Sequence, residues 1–288
     1  MSSIAAVVVV GAGTMGHGIA HVCAASGYRV RLQDADRDAA RRGVEQIRRD
    51  LDKGVELGKV TEDQRHETLN RIVVTSDLER VLADADLVIE AVPESFEIKE
   101  AIFQRVDALA PPHALVASNT SSLSIGRLAE GISEPERFVG LHFFNPVHLM
   151  KLVEVVRGPS TSEATVEAAV AFARSLGKEP IVVRDAPGFA SSRLGIVLGM
   201  EAIRMVEQGV ATPEDIDRAM ELGYRHPMGP LRLTDLVGLD VRLGIAEYLH
   251  EALGSEAFRP PELLRRMVAE GRLGKKSGRG FYEWSEGS

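Results

Sequence analysis

His142 stands in an apolar run, between Leu141 and two phenylalanines, and Glu154 lies twelve residues further on in the equally apolar stretch Leu152–Val156. A lone histidine in an apolar strand is more often a hydrogen-bonded core residue. Here a buried-looking carboxylate and an upstream polar cluster, Ser118-Asn119-Thr120-Ser121-Ser122, mark it out. An imidazole has a reference pKa of about 6.5, near working pH, which suits it to proton transfer. A carboxylate behind it fixes the tautomer and stabilises the protonated ring. Three segments carry such groups at the C-terminal ends of expected strands, where a doubly wound sheet opens its crevice: 118–122, 141–146 and 151–154.

A second constellation binds rather than reacts. Gly11-Ala12-Gly13-Thr14-Met15-Gly16 is a G-x-G-x-x-G that follows an apolar strand and opens a helix, the context that gives the pattern meaning. Gly11 permits the tight turn, Gly13 lets a pyrophosphate approach the backbone, and Gly16 lets helix and strand pack closely. Thr14 and Met15 complete the loop, and the helix N-terminus offers unpaired N–H groups to the anion. Asp34 ends the next strand, near the spacing of about 20 residues at which a carboxylate meets the adenosine ribose 2′-hydroxyl. A carboxylate there repels a 2′-phosphate, so NAD is favoured; Arg31 and Arg37 nearby leave some NADP tolerance open.

These groups need a scaffold, and the residue pattern supplies one. Strand-like runs at Ile4–Val10, Tyr28–Gln33, Arg71–Thr75, Asp86–Val92 and Ala114–Ser118 alternate with helical stretches at Met15–Ser26, Asp36–Leu57, Asp77–Ala83 and Phe96–Leu109. Such alternation predicts βαβ units and a mostly parallel sheet of Rossmann type. Strands at Phe138–Phe144 and Lys151–Val156 follow, joined by the turn signal Asn145-Pro146, then a helix at Thr161–Leu176 and a last strand at Glu179–Arg184. Beyond Pro187 only helices are expected, at Ser192–Gln208, Pro213–Glu221, Leu239–Leu253 and Pro261–Glu270. The fold class is therefore α/β, with a Rossmann-type unit at 1–185 and an all-helical C-terminal unit at 186–288.

Composition narrows the function classes. The 288 residues are 44% hydrophobic and 26% charged, which suits a folded globular protein rather than a disordered one. A net charge of −8 argues against nonspecific nucleic-acid binding. No apolar run reaches the roughly 20 residues of a membrane span. The single cysteine, Cys23, and the lack of a basic residue before Arg29 suit a reducing, cytoplasmic setting without secretion. Among the histidines, only His17 and His21 are spaced for one helix face, without a carboxylate in the chemical region, so no metal is expected.

The stretches GAGTMGHGIA (11–20), DLVIEAVPE (86–94), SNTSSL (118–123), GLHFFNPV (140–147), MKLVEVV (150–156), DAPGF (185–189), HPMGP (226–230), DLVGLD (235–240) and GKKSGRGFY (274–282) together resemble the L-3-hydroxyacyl-CoA dehydrogenase family. The likeness is strongest to its short-chain, single-function members, the 3-hydroxybutyryl-CoA dehydrogenases. The resemblance implies that His142 is the general base, that Glu154 orients it, and that Ser121 contacts the substrate hydroxyl. It also implies that Glu94, Lys99, Asn145 and Lys276 lie around the nicotinamide half of the cofactor. It further implies an acyl-CoA substrate, bound in the cleft between domains, and a homodimer formed through the helical domain.

One departure stands out: Ser192 takes a position where the family usually carries a catalytic asparagine, and a hydroxyl is shorter than a carboxamide. It keeps a second reading open, a sugar-acid dehydrogenase of the gulonate type; a third is a catalytically inactive NAD-binding protein. Arg48, Arg49, Lys53 and Lys59, on or just after the helix beginning near Asp36, read equally as a clamp for CoA phosphates and as a solvated helix face.

Overall fold

The computed structural model describes residues 4–285. Two compact units are present, one ending at Ala186 and the other beginning at Pro187. In the first, the run Ala-Val-Val-Val-Val forms β1 (Ala6–Val10), buried along its whole length. β-Branched side chains on both faces suit a strand covered by helices on either side. It is joined by β2 (Arg29–Gln33), β3 (Ile72–Thr75), β4 (Leu87–Glu90), β5 (Leu115–Ser118), β6 (Phe138–Phe143), β7 (Leu152–Arg157) and β8 (Glu179–Arg184). The eight strands form one sheet in the order β3-β2-β1-β4-β5-β6-β7-β8. β1 to β6 are mutually parallel; β7 then runs antiparallel to β6, and β8 parallel to β7.

The order reverses between β1 and β4, and this switch point is where an open α/β sheet forms its ligand crevice. Helices α1 (Thr14–Ala25), α2 (Arg37–Glu56) and α5 (Phe96–Leu109) start at the C-terminal ends of β1, β2 and β4. Asp36 caps α2 by accepting from the Asp38 N–H, and Ser95 caps α5 by accepting from that of Ile98. Three helices lie outside the expected set: one at Ile125–Ala129, one at Pro230–Val237, and α3 (Glu62–Asn70), of which only Thr68 is buried. The last lacks the apolar stripe that periodicity detects, and its one sequence signal is the reciprocal cap between Thr61 and Gln64. Two further short helices, α4 (Leu78–Leu82) and α6 (Ile125–Ala129), and the longer α7 (Glu163–Ser175) complete the unit.

The second unit packs α8 (Ser191–Glu207), α9 (Pro213–Arg218), α10 (Pro230–Val237), α11 (Leu239–Leu253) and α12 (Glu262–Ala269) around Ile196, Met200, Ile203, Leu231, Leu249 and Leu264. The helix expected to run to Glu221 leaves α geometry after Arg218 and widens into a π turn over Ala219–Gly223. The aromatic tail docks on this unit. Asp235 accepts from the backbone N–H groups of Phe281 and Tyr282 and from the indole of Trp284, while the Tyr282 hydroxyl donates to Asp217.

His21, on α1, is buried. Burial, reinforced by the neighbouring His148, lowers its pKa from 6.5 to about 4. Above pH 6.5 neither the folded nor the unfolded chain protonates this ring. Between 6.5 and about 4 only the unfolded chain does, so stability falls with falling pH across that window. The expected loss at about pH 5 is ~2 kcal/mol. His21→Gln should remove it: the drop in unfolding free energy between about pH 7.5 and 5, measured by urea denaturation, becomes smaller than in the parent. An equal drop in both proteins would show that His21 does not carry the effect.

Candidate active site

The glycine loop leaves β1 with Gly11 at φ +98°. A side chain at Gly11 would sit 2.6 Å from the Ala91 carbonyl oxygen, and one at Gly16 would sit 1.7 Å from the Gly11 oxygen. Both glycines are therefore required by packing. Gly13 differs: a Cβ there would meet nothing within 4 Å. Its glycine is not explained by the protein's own atoms and fits a ligand lying against the backbone. Gly13 is also the N-cap of α1 and offers no side-chain cap, which leaves the first N–H groups of the helix for a ligand in that same space. Asp34 is held beside the loop, one carboxylate oxygen accepting from the Ala12 N–H at 2.8 Å and the other from the Asp36 N–H at 2.9 Å. A cavity of about 570 Å³ is lined by Gly11, Gly13, Thr14, Met15 and Asp34, with Ala91–Pro93 opposite. These residues fit the adenosine and diphosphate portion of a dinucleotide.

A second cavity, about 390 Å³, shares Met15, Ala91 and Val92 with the first and adds Glu94, Lys99, Asn119, Ser121, His142 and Asn145. The sheet sets its central pair. β6 and β7 are antiparallel with His142 directly opposite Glu154, so the two side chains stand on the same face. The His142 Nδ1 to Glu154 Oε2 distance is 2.7 Å. The carboxylate is completely buried and the imidazole is 7% exposed. The Phe144 ring packs 4.4 Å from the imidazole, centroid to centroid. An ionised carboxylate only accepts, so Nδ1 carries the proton and Nε2 of the neutral ring carries the lone pair.

The hydroxyl cluster is held by Glu94. Its Oε1 accepts from the Thr120 hydroxyl (2.6 Å) and from the backbone N–H groups of Ser121 (2.9 Å) and Ser122 (3.2 Å). Its Oε2 pairs with the Lys99 ammonium at 3.2 Å. Burial pushes the Glu94 carboxyl up, but Lys99 and these donors outweigh it and hold the group below its usual range. Lys99 is itself buried, and its ammonium also donates to Glu90 Oε1 at 2.6 Å and to the Val92 carbonyl at 3.2 Å. Three donors meet three protein acceptors, so Lys99 braces the wall of the site.

Glu90 was not singled out from the sequence. It accepts from the Ser118 hydroxyl at 2.6 Å as well as from Lys99, and burial raises its pKa despite that ammonium. The sequence signal was present, a carboxylate inside the apolar run Asp86–Val92 much as Glu154 interrupts its own. Asn119, a member of the upstream polar cluster, has a structural part: its side-chain oxygen accepts from the Phe143 N–H at 3.0 Å and ties the end of β5 to that of β6.

The chain matches two family descriptions end to end: "3-hydroxyacyl-CoA dehydrogenase, NAD binding domain" over residues 6–186, and "3-hydroxyacyl-CoA dehydrogenase, C-terminal domain" over 188–284. It belongs to the 3-hydroxyacyl-CoA dehydrogenase family. The dehydrogenase is an oxidoreductase that uses NAD. It is 47% identical to a probable 3-hydroxybutyryl-CoA dehydrogenase of Bacillus subtilis, over 97% of each chain. It is 43% identical to the human mitochondrial hydroxyacyl-coenzyme A dehydrogenase, over 96% of this chain and 90% of that one. The crystal structure of an (S)-3-hydroxybutyryl-CoA dehydrogenase from Ralstonia eutropha superposes with a TM-score of 0.94 at 42% identity, covering 98% of this chain and 100% of the other.

The remaining sequence-derived positions fall as follows. Asn145 lines the reactive cavity beside His142. Lys276 lies in the helical unit, paired with Asp240 at 2.5 Å. Ser192 occupies the first turn of α8 and is half-buried. Lys53 and Lys59 line a third cavity, of about 590 Å³. Arg49 does not line it; its guanidinium folds back one turn and donates to the Gln46 side-chain oxygen at 2.6 Å. Arg48 likewise pairs with Glu45, at 3.4 Å. Of these four cations, the two lysines line the cavity.

Proposed function

We propose that the dehydrogenase oxidises the 3-hydroxyl of short (S)-3-hydroxyacyl-CoA thioesters, 3-hydroxybutyryl-CoA foremost, to the 3-ketone, and catalyses the reverse reduction. The observation that carries this is the cross-strand His142–Glu154 pair, 2.7 Å apart, on the wall of a cavity continuous with the dinucleotide loop. When bound, NAD supplies the hydride acceptor. His142 Nε2 takes the hydroxyl proton as the C–H bond breaks, and Glu154 stabilises the imidazolium that results. Ser121, held through its backbone by Glu94, offers its hydroxyl to the substrate oxygen. In the reverse direction the imidazolium returns the proton to the ketone oxygen. Lys53 and Lys59 are suited to the CoA phosphates, Lys276 keeps the cofactor role that the resemblance implies, and Ser192 stands where the family's catalytic asparagine would be.

Two further readings accompany it. A homodimer through the helical unit accounts for the exposed Leu222, Leu233, Leu236, Val237 and Val241. A cytoplasmic location agrees with the one buried, unpaired Cys23; no helix among the described residues is long and apolar enough to cross a membrane.

The test is a series of 3-ketoacyl-CoA substrates of increasing length, with NADH or NADPH, followed by nicotinamide absorbance. Acetoacetyl-CoA should be reduced with NADH. NADPH should be slower by at least ~10-fold, because Asp34 repels the 2′-phosphate. Absence of turnover on every thioester, or faster NAD reduction with gulonate, would overturn the assignment.

A further inference from the structure

The third cavity holds a cluster that the reaction does not use. Its wall contains His21 from α1, Asp50 from α2 and His148 from the segment between β6 and β7. One ligand atom from each of these residues lies within 4.8 Å of the other two. His21 is 7% exposed, and its buried Nδ1 has no hydrogen-bond partner. A buried, unsatisfied ring nitrogen calls for an ion or a water. The imidazoles of His21 and His148 lie 5.4 Å apart, tilted by 30°, and His148 Nδ1 is 3.9 Å from Asp50 Oδ2. That separation is too long for a direct hydrogen bond. Asp50 Oδ1 is taken by the Gln46 amide at 2.9 Å. His17, the neighbour one turn back, is engaged instead with the Gly13 carbonyl at 2.8 Å.

We propose that His21, Asp50 and His148 bind a divalent d-block cation, with Zn²⁺ the best match, at a site separate from the His142–Glu154 pair. Two imidazoles and one carboxylate are a donor set that zinc takes with a water in the fourth position. Bonds of about 2.0 Å require the donors to draw together from their present spacing. His148 and Asp50 are the ones free to move, their side chains being 30% and 21% exposed while His21 is fixed by packing. The surrounding charges select the kind of metal. Lys53, Lys59 and Lys178 line the same cavity, and Lys178 directs its ammonium to the Val147 and Met150 carbonyls. One carboxylate among three lysines cannot hold Ca²⁺ or Mg²⁺, which rely on several charged oxygens. Imidazole nitrogen favours zinc, nickel or copper.

The sequence did not expose this site, because its three residues come from three separate elements. The test is isothermal titration of Zn²⁺ into the chelator-treated, dialysed full chain without substrate, with thermal unfolding as a second readout. The expected result is one Zn²⁺ per chain and a raised melting temperature. His148→Ala and Asp50→Asn, at the more exposed end of the site, should each weaken binding by at least the ~10-fold that even outer-shell partners contribute. His21→Gln should do the same, and His66→Ala, at an exposed histidine elsewhere, should leave both stoichiometry and affinity as in the parent. No Zn²⁺ binding by the parent chain, or binding that survives in both His148→Ala and Asp50→Asn, overturns the proposal.

Discussion

His142→Gln is expected to lower kcat by at least ~100-fold while leaving the NADH dissociation constant close to that of the parent. Glutamine keeps the size and polarity of the side chain but cannot take a proton near neutral pH. The residues proposed to hold the nucleotide, Gly13 and Asp34 among them, line the first cavity, which the change does not touch. Glu154→Gln should also be impaired, by a different route. The His142 Nδ1 proton then meets an amide instead of an anion, so the imidazolium loses its counter-charge. Stopped-flow turnover of acetoacetyl-CoA and fluorescence titration of NADH separate the two effects. A His142→Gln enzyme with near-parental kcat would remove the acid–base assignment, whatever became of Glu154.

Lys99→Met is expected to be the most destabilising single change considered, at about 3–5 kcal/mol near neutral pH. The lysine sits between Glu90, which is wholly buried, and the partly buried Glu94. Deleting the ammonium leaves a carboxylate in the core with only Ser118 and a backbone N–H to satisfy it. Burial already pushes Glu90 upward, and without Lys99 the group moves further in the same direction. Its folded-state pKa then lies well above the unfolded value, so the loss grows as pH rises through that interval and shrinks in acid. The double variant Glu90→Gln/Lys99→Met should recover a large part of the stability, because it removes charge and counter-charge together. Urea unfolding of the single and double variants checks this. If the two are equally unstable, the penalty comes from packing rather than from the orphaned carboxylate.

The parts of this molecule that were legible in the sequence are those whose signal is local. β1 announces itself by five consecutive apolar residues, and the dinucleotide loop by glycines at fixed offsets followed by a helix. His142 and Glu154 were legible as a pair because each interrupts an apolar run, which is costly unless the two meet. What could not be read was the third dimension of the support. Glu94 organises residues of the 118–122 loop across two neighbouring strands, and Lys99 turns its ammonium back under them from α5. Nothing in their spacing states that they converge. Arg49 shows a choice of the same kind: its guanidinium donates to Gln46 three residues away, a rotamer that helical periodicity does not encode. α3 escaped because a polar helix on the surface has no moment to detect.

The reversal of direction between the sixth and seventh strands has a consequence for how the enzyme ages. The proposed proton-transfer partners are rungs of a single ladder, so their alignment needs no flexible loop to find it. Slippage by one rung would turn the carboxylate to the opposite face. Melting of that ladder would separate the pair, and amide protons around Leu141–Phe143 would then begin to exchange with solvent.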